Sequence, residues 1–451
     1  MKRLHPLLYF LCLLTTSLLQ GQSLQEEYIH FAQKQQQEYA DFRRKENEAF
    51  SKFLQKDWTG YHQENPVERP AKPSPKEPLL TQKHPGYKPV DIPKVVDRPV
   101  NNPSSAQEKD EWLKEPFILS GISEKEIAYA WESLSQTSYE PFIRHSLQMK
   151  KENHWCDWAY VLFIRQLADK LCRESDNNSK IIIQMFLLCQ SEYKVRCGRS
   201  GDQLVLLIPT DCMLYNKMYL NIDNEKYFIF GYETYNRQPV YTFQKDFDLS
   251  SRKVSMYILP GQTMSAETLY SRVYSNRQIT INANTNKSLI DLYKEYPQCD
   301  FSVYLKAPAS QEVSLSVLPS LKKAIHGKTT KEAAGILLHF VQTAFKYQTD
   351  QQQFGFEKPF FIDECFYYPA CDCEDRAVLY AFLIRTLLNL NVVLLDYLQH
   401  IATAVCFDEN IPGDHLDIDG KRYMICDPSY INAGIGMAMP ALKNTEAKII
   451  R

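Results

Sequence analysis

The sequence predicts an α+β protein, and its C-terminal part carries the clearest evidence for this fold class. The run Glu374–Leu390 has apolar residues at helical spacing and contains no glycine or proline. The two runs that follow, Val392–Leu395 and His400–Phe407, are β-branched or alternate in the manner of strands. A third short strand, Arg422–Cys426, ends directly before Asp427. One helix followed by several strands indicates a mixed α+β domain.

The amino terminus predicts a secretory signal peptide over residues 1–22. Two early cations, Lys2 and Arg3, precede an apolar stretch from Leu7 to Leu19, after which small or polar residues follow. This stretch is shorter than the roughly 20 apolar residues that a membrane-spanning helix needs. We therefore expect cleavage near Gly21, export to the periplasm or the extracellular space, and no membrane span in the mature chain.

Two polar segments of different character come next. Residues 23–65 predict a polar helix, in which aromatic residues recur in pairs eleven residues apart and so form one stripe along the helix. The stripe needs a partner surface, for which the body of the protein is our expectation, and its members are Tyr28, Phe31, Tyr39, Phe42, Phe50 and Phe53. Residues 66–110 predict a linker, because the prolines between Pro66 and Pro103 exclude a helix or a central strand.

The rest of the chain divides into three units. Residues 111–235 predict an α+β unit, with helices at Lys125–Leu134, Asp157–Cys172 and Lys180–Cys189 and strands at Gln203–Ile208, Met218–Ile222 and Lys226–Phe230. Residues 236–325 predict a small β-rich module, with strands at Val254–Leu259, Gln278–Ile281 and Asp300–Leu305 and one short helix at Leu289–Glu295. Residues 326–451 form the C-terminal domain, which opens with the amphipathic helix Lys331–Gln348.

Three side chains with complementary chemistry lie on the C-terminal elements. Cys373 is placed at a helix N-terminus, where unpaired N–H groups and the helix dipole favour a thiolate and lower the pKa of the thiol. His400 begins a strand, and Asp427 stands where a strand stops. A nucleophile, a proton shuttle and a group that orients the imidazole are what a cysteine acyl-transfer site needs.

The same stretch resembles the transglutaminase-like superfamily, whose members share a papain-like α/β core. The matching pieces are DCEDRA, which begins at Asp372, HIATAV, which begins at His400, and YMICDPSY, which begins at Tyr423. The resemblance covers roughly the last 125 residues. It implies that Cys373 is the nucleophile, His400 the base and Asp427 the carboxylate that holds the imidazole.

Other cysteines and histidines near these positions have alternative interpretations. Cys365 and Cys371 precede Cys373 and suggest a zinc site, but neither a pair of CxxC motifs nor a histidine pair accompanies them. Cys406 and Cys426 lie in apolar strands and are interpreted as packing residues. The histidine that competes with His400 is His415, in a Pro-Gly-Asp loop that indicates a solvated side chain. We therefore expect no metal and no cofactor.

Composition limits the classes of function. Lys and Arg number 52 and Asp and Glu 54, a net charge of -2, so nucleic acid is not an expected partner. Of the 12 cysteines, one lies in the signal peptide. The odd number that remains leaves at least one thiol unpaired within a single chain, and we expect few or no disulfides.

The function expected from this reasoning is an exported cysteine acyl-transfer enzyme. What the resemblance implies is a protein or peptide substrate, with amide hydrolysis or amide exchange as the reaction. The backbone N–H of Cys373 is the expected oxyanion donor. The alternative is a non-catalytic binding or assembly protein that retains the fold. The sequence leaves the oligomeric state open.

The first α+β unit reads as a degenerate copy of the C-terminal domain. The runs YLNIDNEKYFIFGY and HLDIDGKRYMICDP match at a constant offset, since 416 − 220 for their leucines and 423 − 227 for their tyrosines both give 196. This offset puts Asn177 opposite Cys373, Leu204 opposite His400 and Gly231 opposite Asp427, so the first unit would lack the catalytic residue types. Duplication and convergent apolar patterning both account for the match.

Overall fold

The structure is a computed structural model that describes residues 30–31, 33–35, 37–70, 94–97, 112–113, 115–231, 238–264 and 268–451. The protein is of mixed α+β class, as the sequence predicts. The predicted signal peptide, residues 1–22, lies outside the described residues. Among the helices in the described ranges, none is long and apolar enough to cross a lipid bilayer.

The first unit places its helices against a six-stranded antiparallel sheet with the strand order β1-β7-β3-β4-β6-β5. The predicted helices and strands are present, and helix α3 and strand β3 are additional. The elements up to this sheet's last strand are α1 (described over residues 30–31, 33–35 and 37–54), β1 (Thr59–Tyr61), β2 (Lys94–Asp97), α2 (Glu124–Ser135), α3 (Tyr139–Glu152), α4 (Asp157–Leu171), α5 (Asn177–Gln190), β3 (Arg196–Ser200), β4 (Gln203–Pro209), β5 (Tyr219–Ile222), β6 (Glu225–Phe230) and β7 (Val240–Thr242).

The region 236–325 contains more helix than the sequence predicts. Its described residues form three helices besides β7 and two further strands that pair with each other, so the expectation of a β-rich module is wrong. The run Asp300–Leu305 is mostly helical, because Asp300 stands at the N-cap position and the turn is only six residues long, too short for its periodicity to show. The elements are β8 (Thr268–Ser275), β9 (Thr280–Asn286), α6 (Lys287–Lys294), α7 (Phe301–Lys306) and α8 (Gln311–Ile325).

The predicted proline-rich linker also contains one regular element. Strand β2 pairs with β8 at the edge of a three-stranded sheet, so the expectation of no regular secondary structure between Pro66 and Pro103 is wrong at Lys94–Asp97. Valines at positions 95 and 96 favour the strand, and an edge strand tolerates flanking prolines. Arg69, at the start of the segment, is buried between the rings of Tyr215 and Phe301, with its guanidinium carbon 4.2 Å from each ring centroid.

The aromatic stripe of α1 meets the body of the protein over only part of its length. Phe50 is buried and lies 4.7 Å from the ring of Trp131 and 5.3 Å from that of Phe247, measured between centroids. Phe31 and Tyr39, earlier in the helix, are more than half exposed. Tyr28 lies outside the described residues.

The C-terminal domain wraps a buried helix with a five-stranded antiparallel sheet and further helices. Helix α12 packs against the central strands on one side and against α9 on the other, so that every residue from Cys373 to Ile384 is buried. The sheet has the order β14-β15-β13-β12-β16. Its elements are α9 (Thr330–Ala344), β10 (Lys346–Tyr347), α10 (Asp350–Gln353), α11 (Ile362–Tyr367), β11 (Ala370–Cys371), α12 (Cys373–Leu388), β12 (Asn391–Tyr397), β13 (His400–Cys406), β14 (His415–Ile418), β15 (Lys421–Cys426), a 3-10 turn (Pro440–Leu442) and β16 (Lys448–Ile450).

The two α+β units arrange their elements in the same order. In each, a buried helix is followed by two hairpins, and the strand order β3-β4-β6-β5 of the first unit corresponds to β12-β13-β15-β14 of the second. The second hairpins agree in register: Tyr219 pairs with Phe228, and His415 pairs with Met424, an offset of 196 for both members.

In the first hairpins, β3–β4 and β12–β13, the offset between corresponding residues is larger by one. Ser200 pairs with Gln203 at one tip and Tyr397 pairs with His400 at the other, so both members differ by 197. The connection from the helix start to the hairpin is one residue longer in the C-terminal domain. Gln203 therefore stands opposite His400, and the assignment of Leu204 to that position is wrong.

Candidate active site

His400 and Asp427 form a buried pair at the ends of neighbouring strands. His400 is the first residue of β13, and Asp427 follows the last residue of β15, which pairs with β13. Nε2 of His400 lies 2.8 Å from Oδ2 of Asp427, and both side chains are almost completely buried. The other ring nitrogen, Nδ1, is buried and has no hydrogen-bond partner among the described residues. The imidazole is thus held from one side only.

Asp427 is fixed by donors from its own loop. Its Oδ1 accepts hydrogen bonds from the backbone N–H and the hydroxyl of Ser429, both at 2.9 Å, and from the backbone N–H of Tyr430 at 3.1 Å. Burial alone would raise the pKa of Asp427, but the charge and hydrogen bond of His400 and the donors of Ser429 hold it below its ordinary value. The carboxylate is therefore ionised at neutral pH and can orient an imidazole.

Cys373 is the first residue of α12 and is completely buried. The backbone N–H of Ile401, the residue after His400, is near enough to the sulfur to lower the pKa of the thiol, so the thiol lies beside the start of β13. The thiol itself donates to Oε2 of Glu374 at 3.1 Å. No hydrogen bond joins Cys373 to Nδ1 of His400 in this conformation.

The pKa of the Cys373 thiol departs from the expectation for a helix N-terminus. Burial, followed by the charges of Glu374 and Asp372, raises this pKa well above its ordinary value, and the Ile401 N–H opposes the rise only in part. The sequence shows that both neighbours are acidic but not that they are buried against the sulfur. The predicted lowering of the thiol pKa is therefore wrong for this conformation.

Two buried polar side chains that the sequence analysis missed support the loop of Asp427 and the helix of Cys373. Nε2 of Gln342, on α9, lies within 3.0 Å of the carbonyl oxygens of Asp427, Tyr430 and Ala433. The guanidinium of Arg376 donates to the carbonyl oxygens of Phe345, at 2.8 Å, and of Gln342, at 3.4 Å. The sequence offered one signal for Gln342, because this glutamine lies on the apolar face of a predicted amphipathic helix.

The competing residues of the sequence analysis lie away from the pair. His415 is exposed on β14 and contacts the carbonyl oxygen of Gly413 and the side chain of Arg422. Cys365 and Cys371 are buried free thiols. Neither belongs to a group of possible metal ligands among the described residues. The expectation that these thiols hold no zinc ion stays a prediction. Cys426 is buried in β15, whereas Cys406 is only half-buried.

The first unit has a pocket at the positions that correspond to the candidate triad. Asn177, Gln203 and Gly231, which stand opposite Cys373, His400 and Asp427, all line one cavity of about 640 Å³. Its remaining walls combine aromatic, aliphatic and charged side chains, among them Trp158, Phe230, Gln184, Lys217 and Arg165. The pocket has no cysteine, histidine or aspartate in its lining.

Comparisons with protein-family models, with curated proteins and with solved structures found no match for this chain.

Proposed function

We propose that the protein is a cysteine-dependent acyl-transfer enzyme of transglutaminase-like type, with a papain-like C-terminal domain, that acts on protein or peptide amides. Cys373 is the nucleophile, His400 the general base and Asp427 the group that orients the imidazole. The signal-like amino terminus supports export to the periplasm or the extracellular space.

The observation that carries the proposal is that the two ring nitrogen atoms of His400 have different surroundings. In a neutral imidazole, the ionised carboxylate on Nε2 selects the tautomer with its proton on Nε2 and a lone pair on Nδ1. Nδ1 is buried and unpartnered, and the next residue along the strand contacts the sulfur of Cys373. An imidazole in this state can accept a thiol proton.

In the proposed reaction, Nδ1 of His400 takes the proton of Cys373 while the sulfur attacks the carbonyl carbon of an amide. The C–N bond breaks as His400 returns a proton to the leaving amine, which gives a thioester on Cys373. Water or a second amine then attacks the thioester and releases the acyl group. The backbone N–H of Cys373, at the start of α12, stabilises the oxyanion.

We also propose that the first α+β unit is a degenerate copy of the catalytic domain. The equal strand order and the register offsets of 196 and 197 support a common origin. Asn177, Gln203 and Gly231 replace the three catalytic residue types, so this unit binds or positions substrate rather than reacting with it.

The second candidate function is a binding or assembly protein that retains the fold without turnover. It is favoured by the raised pKa of the Cys373 thiol and by the hydrogen bond that the thiol donates to Glu374, since both keep the proton on the sulfur. A protonated thiol is a poor nucleophile.

A comparison of the wild type with Cys373→Ala on an unbiased peptide library tests the proposal. The wild type should cleave or crosslink particular peptides, and the variant should lose this activity to background. Iodoacetamide labelling separates the two candidate functions: selective labelling of Cys373 that is slowed in His400→Ala favours the enzyme. Labelling of Cys373 that is unaffected by His400→Ala, without turnover of any peptide, favours the binding protein.

A further inference from the structure

A cavity of about 530 Å³, distinct from the pocket of the first unit, lies where the first unit, residues 236–325 and the C-terminal domain meet. Its volume is typical of sites for small ligands. No candidate catalytic residue lines it, and its walls combine charged, aromatic and aliphatic side chains that include Arg69, Tyr215, Asp300, Asp396, Leu398 and Lys448. We call this cavity the junction pocket.

Arg69 brings a buried positive charge to the junction pocket. The residue is only 6% exposed, and its guanidinium donates a hydrogen bond from Nη2 to the carbonyl oxygen of Cys299. Its Nε is buried without a hydrogen-bond partner. In the part of the chain that the structure describes, no carboxylate lies within ion-pair distance of this guanidinium. A buried charge and a buried donor are both costly to leave without partners, which points to an acceptor that a ligand supplies.

Asp300 lines the same pocket, but both of its carboxylate oxygens are bonded to other groups. Oδ2 accepts the backbone N–H of Met213 at 3.0 Å, and Oδ1 accepts the hydroxyl of Tyr215 at 3.1 Å. Asp300 therefore leaves the guanidinium of Arg69 available. Its negative charge in the pocket repels a dianion such as hydrogen phosphate more strongly than it repels a monoanion.

The other charged side chains of the pocket have partners of opposite charge. Asp396 stands directly opposite Lys448 in the ladder between β12 and β16, where opposite charges attract each other. Arg451, which also lines the pocket, forms an ion pair with Asp419 at 2.7 Å. Arg69 is thus the cationic side chain of the pocket that is left for a ligand.

We propose that the junction pocket binds a monoanionic carboxylate group carried on an apolar chain. The rings of Tyr215 and Phe301 stack against the guanidinium of Arg69 and fix its plane, so a ligand approaches along the edge where the N–H donors point. A carboxylate accepts two parallel hydrogen bonds from such an edge. Leu398 and Ile450 offer apolar contact to the rest of the ligand. This binding goes beyond the proposed acyl transfer and does not depend on it.

Isothermal titration of the purified full-length chain with carboxylate probes tests the proposal. The probes differ in the source of the carboxylate: acetyl-Ala-Ala-Leu has a free C-terminus, acetyl-Ala-Glu-Leu-amide has a side-chain carboxylate, and hexanoate is a small aliphatic acid. At concentrations up to about 10 mM, at least one of them should bind at one site per chain, and the tightest identifies the source. The neutral counterparts acetyl-Ala-Ala-Leu-amide, acetyl-Ala-Gln-Leu-amide and hexanamide should bind at least about tenfold more weakly.

Two variants test whether the carboxylate binds at Arg69. Arg69→Lys keeps the charge but removes the planar set of donors, and it should weaken binding by about tenfold or more. Leu398→Asp adds a negative charge to the pocket and should weaken binding at least about threefold. Since the side chain of Leu398 is 78% exposed, Leu398→Asp should fold even where Arg69→Lys does not, and circular dichroism checks both.

Arg196→Lys is the matched control. Arg196 is also buried, and its guanidinium carbon lies 4.8 Å from the ring centroid of Tyr227, but it pairs with Asp246 and lies outside the junction pocket. This variant should bind the probes with wild-type affinity. The proposal is overturned by the absence of binding for all three carboxylate probes, by equal binding of their neutral counterparts, by tighter binding of inorganic phosphate, or by wild-type affinity in Arg69→Lys and Leu398→Asp.

Discussion

At the scale of single residues, the two nitrogen atoms of His400 lie in different surroundings. Asp427 binds one of them, while the other faces the protein interior without a partner. The carboxylate thereby selects the tautomer in which Nδ1 is free to accept a proton. In the proposed reaction Asp427 acts through His400, which makes it a positioning residue.

Asp427→Asn should lower kcat by about 10³- to 10⁴-fold, the effect known when a triad carboxylate becomes an amide and the imidazole tautomer is reversed. Rates would be measured on a peptide identified with the library, with circular dichroism as a check on folding. The exposed Asp408→Asn serves as a control and should retain full activity. A decrease of less than tenfold in Asp427→Asn would mean that the carboxylate does not orient the base.

Because of Asp363, the free energy of unfolding should depend on pH. Burial raises the pKa of this carboxyl to about 6 from an ordinary value of 3.8, although hydrogen bonds with Ser310 oppose the rise. The folded state therefore binds the proton more tightly than the unfolded chain. The free energy of unfolding should fall as pH rises from about 4 to 6, by up to about 3 kcal/mol from this group.

Urea unfolding of the wild type and of Asp363→Asn between pH 4 and 7 measures this contribution. The variant should lose that part of the slope, because its amide does not titrate. Asp408→Asn should retain the wild-type slope. Equal slopes in the wild type and Asp363→Asn would show that Asp363 is already ionised at pH 4.

At the scale of secondary-structure elements, α9 holds the loop of Asp427 through Gln342. Gln342→Ala would leave the carbonyl oxygens of Asp427, Tyr430 and Ala433 without their shared donor. We expect a loss of about 1–3 kcal/mol in the free energy of unfolding, together with lower kcat, since the loop positions Asp427. Gln342→Glu tests the donor directly, because it keeps the size but removes the N–H groups. Wild-type stability and activity in both variants would contradict this role.

The elements around the candidate site are predictable from local sequence patterns, whereas the elements of residues 236–325 are not. Helix α12 and strands β12, β13 and β15 were predictable because their apolar runs are long or strictly alternating. Helix α8 was missed because Pro319 lies inside it, although Val313, Val317 and Leu321 are buried at a spacing of four residues. The surroundings of Cys373 depend on α10, which brings Asp350 close to Asp372 and Glu374 from an earlier position in the sequence.

At the scale of the whole molecule, two α+β units share one strand order, and only the second has a cysteine, a histidine and an aspartate at the three corresponding positions. Asn177→Ala should leave kcat within about twofold of the wild type, because this residue occupies the nucleophile position of the unit without a histidine or carboxylate partner. Cys373→Ala measured in parallel should lose turnover. A large loss of kcat in Asn177→Ala would mean that the first unit takes part in the reaction.

Gln203→Ala tests whether the pocket of the first unit contacts substrate. If it does, KM should rise while kcat stays near the wild-type value, because binding is weakened without a change in the reacting groups. If neither constant changes, the pocket does not bind the substrate tested.

The burial of Cys373 also limits how fast any reagent can reach it. With no exposed surface on this side chain, a substrate carbonyl meets the sulfur only in molecules that have opened transiently. Should one molecule in about 100 be open, the apparent affinity for substrate would be roughly 100-fold weaker than the affinity of the open form. Any partner or substrate segment that stabilises the open form would then accelerate the reaction without contacting Cys373, His400 or Asp427.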